Sequence, residues 1–449
     1  MRPPKLSLPD PLVLLTACVL LGAAASWVLP AGEFDRHLDE ATGRSLVVAG
    51  TYHAVERDPV GPFEALVALP RGMIEAADVI FLVFLVGGAV TVVDATGALG
   101  RTVSAIVHGL GGRALLTIPV VSLFFALGGV TMNMQEEIVA LVPMLLLLTS
   151  GMGVSPVVAV AMSLGTAFVG SAFSPINPFA VLIAQRVAEL EPGSAWPFRT
   201  IFLAIALVLW IGWTTRLAAR SRAAPSEAPG EAPEPLTGRD RIIMAVVLGA
   251  FAFAGYGMSA LGWGFEELAA ELFAMGVVAG LVAGLGIDGT ARAFVRGFRD
   301  MTYAAILIGF ARAIYVVLAE GRIVDTIVYA LVQPLEALPA LASAAGMIVA
   351  NAAVHVPVPS NSGQAVLTMP VMVPLSDLLG IPRQATVLTY QVGGVLMDML
   401  TPTNGALMAV LVAAGVRYEQ WLRFALPAYL ALLALGGVAV AAAIAIGLQ

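Results

Sequence analysis

The stretch GSAFSPINPFAV, residues 170–181, lies inside an apolar run that reads as a membrane helix, yet Ser174-Pro175-Ile176-Asn177-Pro178 interrupts it. Lipid offers no partner to a freed backbone group. Irregular backbone at membrane depth therefore survives only when it is buried in protein or lines a wet cavity. A second stretch, DMLTPTNGALMAV at 398–410, is interrupted in the same way by Thr401-Pro402-Thr403-Asn404-Gly405. The pair predicts two unwound membrane helices.

Each break frees carbonyls on one side and N–H groups on the other. The carbonyls suit a cation such as Na⁺, and a helix start suits an anion through its donors and dipole. Pro178 has no N–H and can open a new helix at no loss. The breaks are expected to build ligand sites, with Asn177, Thr403 and Asn404 turned to a substrate and Ser174 and Thr401 to a coupling ion.

Composition sets the class. Of 449 residues, 59% are hydrophobic and 12% charged, where a soluble domain carries about 25% charged residues. Apolar runs at 11–29, 79–93, 242–256 and 424–448 approach or exceed the ~20 residues of a membrane crossing. The chain is polytopic, with room for roughly nine to twelve crossings or half-crossings. Cys18 stands alone, so neither a disulfide framework nor a cysteine metal site is expected. Arg2 and Lys5 precede a first helix that is long enough to be retained. Arginines at 216, 220, 222, 239 and 241 flank the middle of the chain, whereas residues 31–61 hold six acids and three arginines. The positive-inside rule then puts the N-terminus and the middle in the cytoplasm and the C-terminus outside.

Residues 223–238, rich in Ala, Pro, Glu, Ser and Gly, read as a disordered linker between two halves, 1–222 and 239–449. The halves repeat one another. Gly97 and Gly321 end matching helices, Asn133 and Asn361 sit in matching polar tips, and Asn177 and Asn404 sit in the two breaks, at offsets of 224 to 228 residues. Short Gly/Pro-interrupted segments at matching places of two halves point to a secondary transporter and its binding site.

The polar tips, TMNMQEE at 131–137 and SNSGQA at 360–365, resemble the ends of re-entrant hairpins. Asn133, Gln135, Ser360, Asn361 and Ser362 are expected at the substrate, and Thr131 and Glu136 near the coupling ion. Glu136 and Glu137 fall between apolar runs, where charges mark a pathway, a proton site or a pair; a hairpin charge at the membrane interface is the plainer alternative. Arg312 either binds a carboxylate bidentately or joins two helices through Glu136 or Asp398. Asp398, three residues before the second break, is the expected protonation or ion site. His355 precedes the second tip; proton sensing is one reading, and packing is its plainest role. The glycine pairs at 87–88, 111–112, 128–129 and 393–394 are expected to allow close helix approach. No nucleophile elbow, Walker loop or dinucleotide fingerprint occurs, so neither an enzyme nor a built-in ATP drive is expected.

The phrases WVLPAGEFDR, GTYHAVERDPVGP, GGVTMNMQEE, SPINPFAVLIAQ, VPVPSNSGQAVLTMPVMVPLSDLLGIPRQ and TPTNGALMAVL resemble the YfcC-like branch of the DcuC-type C4-dicarboxylate anaerobic carrier family, almost end to end. The resemblance implies an all-α inner-membrane protein of two inverted repeats. Each repeat would hold a re-entrant hairpin and an unwound helix, in a homodimer working as an elevator. It implies an ion-coupled secondary transporter of a small organic anion, C4-dicarboxylate-like, with a basic amino acid such as arginine or ornithine as the alternative and a receptor without transport as a remote one. No cofactor beyond Na⁺ or H⁺ and no nucleic-acid partner is implied. The branch pattern carries Asp at position 394 and Asn at 398; this chain has Gly394 and Asp398. The carboxylate has moved by about one helical turn.

Overall fold

The computed structural model describes residues 10–39, 44–48, 50–102, 105, 115–221, 236–261 and 263–449. The expected linker at 223–238 and the glycine pair 111–112 fall wholly or mostly outside them. Among the described residues, five helices are long and apolar enough to cross a membrane: Pro11–Val28, Ala77–Ala95, Trp196–Ser221, Gly286–Glu320 and Tyr418–Ile446. The chain is a multi-pass, helical membrane protein with no closed sheet among the described residues.

Helix starts follow the sequence. Asp10 accepts from Leu12 N at 2.9 Å ahead of Pro11, and proline also opens the helices at 62, 156 and 178. Thr237 and Asp240 form a capping box for Gly238–Ala260, and Arg101 grips Asp240 with contacts of 3.0 and 2.7 Å. The described residues of 31–61 form two short strand pairs rather than a plain loop. Gly32–Glu33 pairs with His53–Ala54, and Arg36–Asp39 pairs with Arg44–Val47, both antiparallel. These short strands hold because Asp325 anchors them: it accepts from Phe34 N at 2.9 Å and from Arg36 Nη2 with both oxygens at 2.8 Å.

Two groups of helices divide the molecule. Pro11–Val28, Pro62–Glu75, Ala77–Ala95 and Phe265–Ala283 pack around the 35-residue helix Gly286–Glu320. The other group holds the two polar tips. Thr117–Met132 and Glu136–Gly151 are arms of 16 residues each, or about 24 Å, short of a full crossing. Ala340–His355 and Asn361–Leu378 form the second such pair. Each first arm lies against the helix that leads into a break. A Cβ on Gly129 would sit 2.2 Å from the Ala167 carbonyl, and one on Gly393 2.2 Å from the Ile348 carbonyl, so in both places backbone meets backbone. Gly129→Val is expected to cost about 3 kcal/mol through displaced backbone. The check is Tm of the purified protein; an unchanged Tm would show that this crossing has slack.

Both lead-in helices carry a π-helical turn, Ala161–Gly165 and Gln391–Val395. Such turns free carbonyls, which need donors. Ala161 O takes Thr166 Oγ1 and the Trp210 indole, both at 2.9 Å. The groups meet along a seam where Gly405–Ala413 runs over Gly286–Glu320 and Glu136–Gly151 over Ala77–Ala95.

Candidate functional site

The two breaks are real and differ in what they face. At the first, the chain leaves helix after Ala172 and resumes at Pro178. Asn177 Oδ1 accepts from Phe179 N and Ala180 N at 2.9 and 2.8 Å, and its Nδ2 donates to Gly129 O at 2.7 Å. Ser174 Oγ accepts from Asn177 N at 2.8 Å and donates to Val130 O at 2.8 Å. Both side chains are fully buried, and their bonds close on the backbone of Thr117–Met132 and of the break itself. Of this break's second arm, Phe179 alone borders the large cavity described next.

The second break faces that cavity. Thr401 Oγ1 and Thr403 Oγ1 lie 2.7 Å apart, and Thr403 donates to Val356 O at 2.5 Å. Asn404 Oδ1 caps Leu407 N at 2.7 Å, leaving its amide group for Asp398 Oδ1 at 2.6 Å and Gln135 Oε1 at 3.2 Å. Gln135 Nε2 in turn donates to Asp398 Oδ2 at 3.1 Å. The first tip and the second break thus converge on one carboxylate.

A third partner is His355, which is fully buried, with Nε2 2.8 Å from Asp398 Oδ1 and Nδ1 2.6 Å from Gln364 Oε1. The orientation of Gln364 fixes the hydrogens. Its Nε2 donates to Asn351 O and Oδ1 at 2.9 and 3.1 Å, so its oxygen is the atom facing the imidazole, and Nδ1 must carry hydrogen. A lone pair on Nε2 against a carboxylate oxygen at 2.8 Å would repel. One further proton therefore lies between His355 and Asp398, whichever of the two holds it.

The tips touch across the site. Asn133, in left-handed backbone at φ 57°, accepts from Asn361 Nδ2 at 3.1 Å, and Tyr390 OH donates to Asn361 O. Ser360 caps Gly363 N at 3.2 Å. Between the tips and the Gly286–Glu320 helix lies a cavity of about 880 Å³, lined by Asn133, Gln135, Ser360, Asn361, Ser362, Asp398, Thr403 and Asn404, with Glu136 and Glu137 beside them. Glu137 also accepts from Gln135 N at 3.1 Å. The far wall is ionic: Arg312 meets Glu75 at 2.9 Å, Arg36 meets Asp325 at 2.8 Å and Arg322 meets Glu33 at 3.4 Å.

The match that decides the family runs over residues 8–445 and is described as C4-dicarboxylate anaerobic carrier, DcuC. The chain belongs to that family. It is a transporter rather than an enzyme. Among DcuC-family relatives, a Haemophilus influenzae protein carrying the name "Uncharacterized protein" is 26% identical over 96% of both chains. An Escherichia coli K12 protein named "Putative basic amino acid antiporter YfcC" is 28% identical over 93% of this chain and 92% of its own. Solved structures similar to it include the Alcanivorax borkumensis YdaH transporter, at TM-score 0.45 and 19% identity over 98% and 99% of the two chains. Neisseria gonorrhoeae MtrF follows at 0.42 and 17% over 96% and 94%.

In this DcuC-family carrier, eight of the expected site residues border one cavity together with Glu136, Glu137 and Arg312. Four others do not border it. Asn177 and Ser174 belong to the internally bonded break, Thr401 sits behind Thr403, and Thr131 Oγ1 bonds back to Leu127 O at 2.7 Å within its own helix. Arg312 joins two helices, with Glu75 rather than Glu136 or Asp398 as partner. His355 and Gln364, which the sequence placed before and within the second tip, join the candidate site through Asp398, and Asn351 is an addition that motif reading passed over. Among the described residues no group of three His, Cys, Asp or Glu converges in a way that would hold a metal ion.

Proposed function

We propose that this carrier is a proton-coupled secondary transporter for a small solute with a cationic end, of the basic amino-acid class. The charge of the cavity wall carries the reading. Seven carboxylates and three guanidiniums line it, and each guanidinium already has an acidic partner. Asp398 is offset by the proton it shares with His355, so Asp78, Glu136 and Glu137 are left over, and such a surplus attracts cations and repels dianions. A cationic side chain would meet Glu136, Glu137 and Asp78. The α-carboxylate would meet the helix starts at Asn361–Ser362 and Gly405, where first-turn N–H groups and the dipole favour an anion.

The organic-anion reading has less to work with. A C4-dicarboxylate needs two cationic or helix-start contacts, and Arg312 is engaged by Glu75. The proton held between His355 and Asp398 serves as the coupling ion. Inverted repeats, the homodimer and an elevator step along the Gly405–Ala413 seam belong to this proposal, as do a cytoplasmic N-terminus and an external C-terminus in the inner membrane.

Counterflow in proteoliposomes tests it, with arginine, ornithine, succinate and short-chain fatty acids as competitors, with and without Na⁺. Arginine or ornithine is expected to compete and succinate to leave the signal flat. Glu136→Gln is expected to weaken arginine binding about tenfold, or about 1.4 kcal/mol, while Arg312→Gln stays within about twofold. Competition by succinate that vanishes in Arg312→Gln would transfer the assignment to an organic anion. No flux of any competitor through folded protein would sink both.

A further inference from the structure

Arg199 is the fourth residue of the spanning helix Trp196–Ser221 and is 1% exposed. Among the described residues no carboxylate pairs with it, and its Nε has no hydrogen-bond partner. A buried, unpaired guanidinium is costly and persists only where its charge is used. Its other nitrogens show where the charge goes. Nη2 donates to Gln384 Oε1 at 2.8 Å and Nη1 to Gln391 Oε1. The amide of Gln391 then donates to Ser174 O at 3.1 Å and Ala172 O at 3.3 Å. Those are carbonyls at the first break, at the C-terminal and therefore negative end of the half-helix Thr166–Ala172.

A chain of dipoles thus runs from a fixed cation to oxygens of the kind that would coordinate Na⁺. The first break is otherwise closed to the cavity. Its Ser174 hydroxyl and Asn177 amide are spent on the hairpin backbone. Gln384 is held in turn by Ser194 Oγ at 2.6 Å and Gln185 Nε2 at 3.4 Å, which keeps Arg199 aimed at Gln391.

We infer that Arg199, acting through Gln391, is a built-in substitute for a coupling cation at the first break. It is a positioning residue: it touches no substrate, but it supplies the positive potential that keeps the break's carbonyls compatible with burial. The second break, at Asp398 and Asn404, is then the one that exchanges an ion in each cycle. The inference rests on the transport reading for its flux readout alone, since sodium binding is measured on purified protein whatever the substrate.

The experiment compares NaCl with choline chloride at equal ionic strength, on Tm and on counterflow, for the native protein, Arg199→Lys and Arg199→Gln. The native protein and Arg199→Lys are expected to be indifferent to the salt. Arg199→Gln is expected to lose about tenfold in flux in choline, to regain most of it at about 100 mM Na⁺, and to gain several degrees in Tm from Na⁺ by mass action. Should Arg199→Gln fail to fold in either salt, Gln391→Glu replaces it. That change neutralises Arg199 directly and strips the donors from the Ala172 and Ser174 carbonyls, and it should acquire the same sodium dependence. A native protein that itself needs Na⁺, or neutral variants that fold and ignore it, would overturn the inference. Arg199→Lys behaving as poorly as Arg199→Gln would do so too.

Discussion

Asp398→Asn is expected to reduce accumulation driven by a pH gradient by about 100-fold while the protein stays folded in the membrane. Asp398 accepts from Gln135 and Asn404 and shares a proton with His355. An asparagine amide presents one oxygen and one donor group to those three partners. Turning its oxygen to His355 and Asn404 leaves its NH₂ against Gln135 Nε2. Flipping Gln135 to accept that hydrogen sets its own NH₂ against Asn404. One buried donor is left unmatched in either arrangement, at about 1–3 kcal/mol. On the proposed proton-coupled reading the larger loss is functional, because position 398 can no longer share a proton with His355. Acid-pulse uptake and counterflow in the same vesicles separate the two effects: uptake should vanish and counterflow should fall less. Full acid-driven accumulation by Asp398→Asn would place the coupling proton elsewhere.

Gly394→Asp should be as damaging, for a steric reason. A Cβ at 394 would lie 2.8 Å from Gln364 Oε1, 2.9 Å from its Nε2 and 3.1 Å from Cδ. Gln364 must move, and His355 loses the acceptor that fixes its tautomer. A second carboxylate also enters beside a buried network that holds one already. A stability loss of about 2–3 kcal/mol and near-complete loss of transport are expected. The informative variant is the double one, Gly394→Asp with Asp398→Asn, which restores the pattern of the YfcC-like branch. If the carboxylate has moved by one turn and kept its role, the double variant recovers activity that both single variants lack, a coupling between neighbours that a double-mutant cycle measures. A double variant that folds and remains inactive would show that the two positions are not interchangeable.

Much of the site was legible because its signals are local. Proline and asparagine together mark a break and a cap wherever they interrupt an apolar run, and Asn177 and Asn404 cap helices as such residues do. The tips were legible for the same reason. What escaped depends on partners far away in the chain. His355, a single imidazole at the end of an apolar arm, reads as packing until Asp398, 43 residues on, is set against it. Arg199 belongs to no motif, and its meaning lies with Gln384 and Gln391, 185 and 192 residues later. The glutamate that takes Arg312 is 237 residues away. The strands of 32–54 are two to four residues long, too short for a periodic signal, and owe their order to Asp325. The breaks have similar sequences and different roles, because the carbonyls of Gly129 and Val130 absorb the polar groups of the first alone.

That inequality bears on how such a carrier can change what it carries. The first break is a frame, wired to its own hairpin and to a resident charge, and it has little to gain from alteration. The second break, with His355, the 360–363 tip and Asp398, sits within some fifty consecutive residues, 355–405. The two helix starts and the His355–Asp398 pair are thereby packaged in one contiguous stretch, while the carboxylates proposed to meet a cationic substrate, Asp78, Glu136 and Glu137, lie outside it. A transplant of that segment between family members should therefore carry the proposed proton step with it and leave the preference for a cationic end in place.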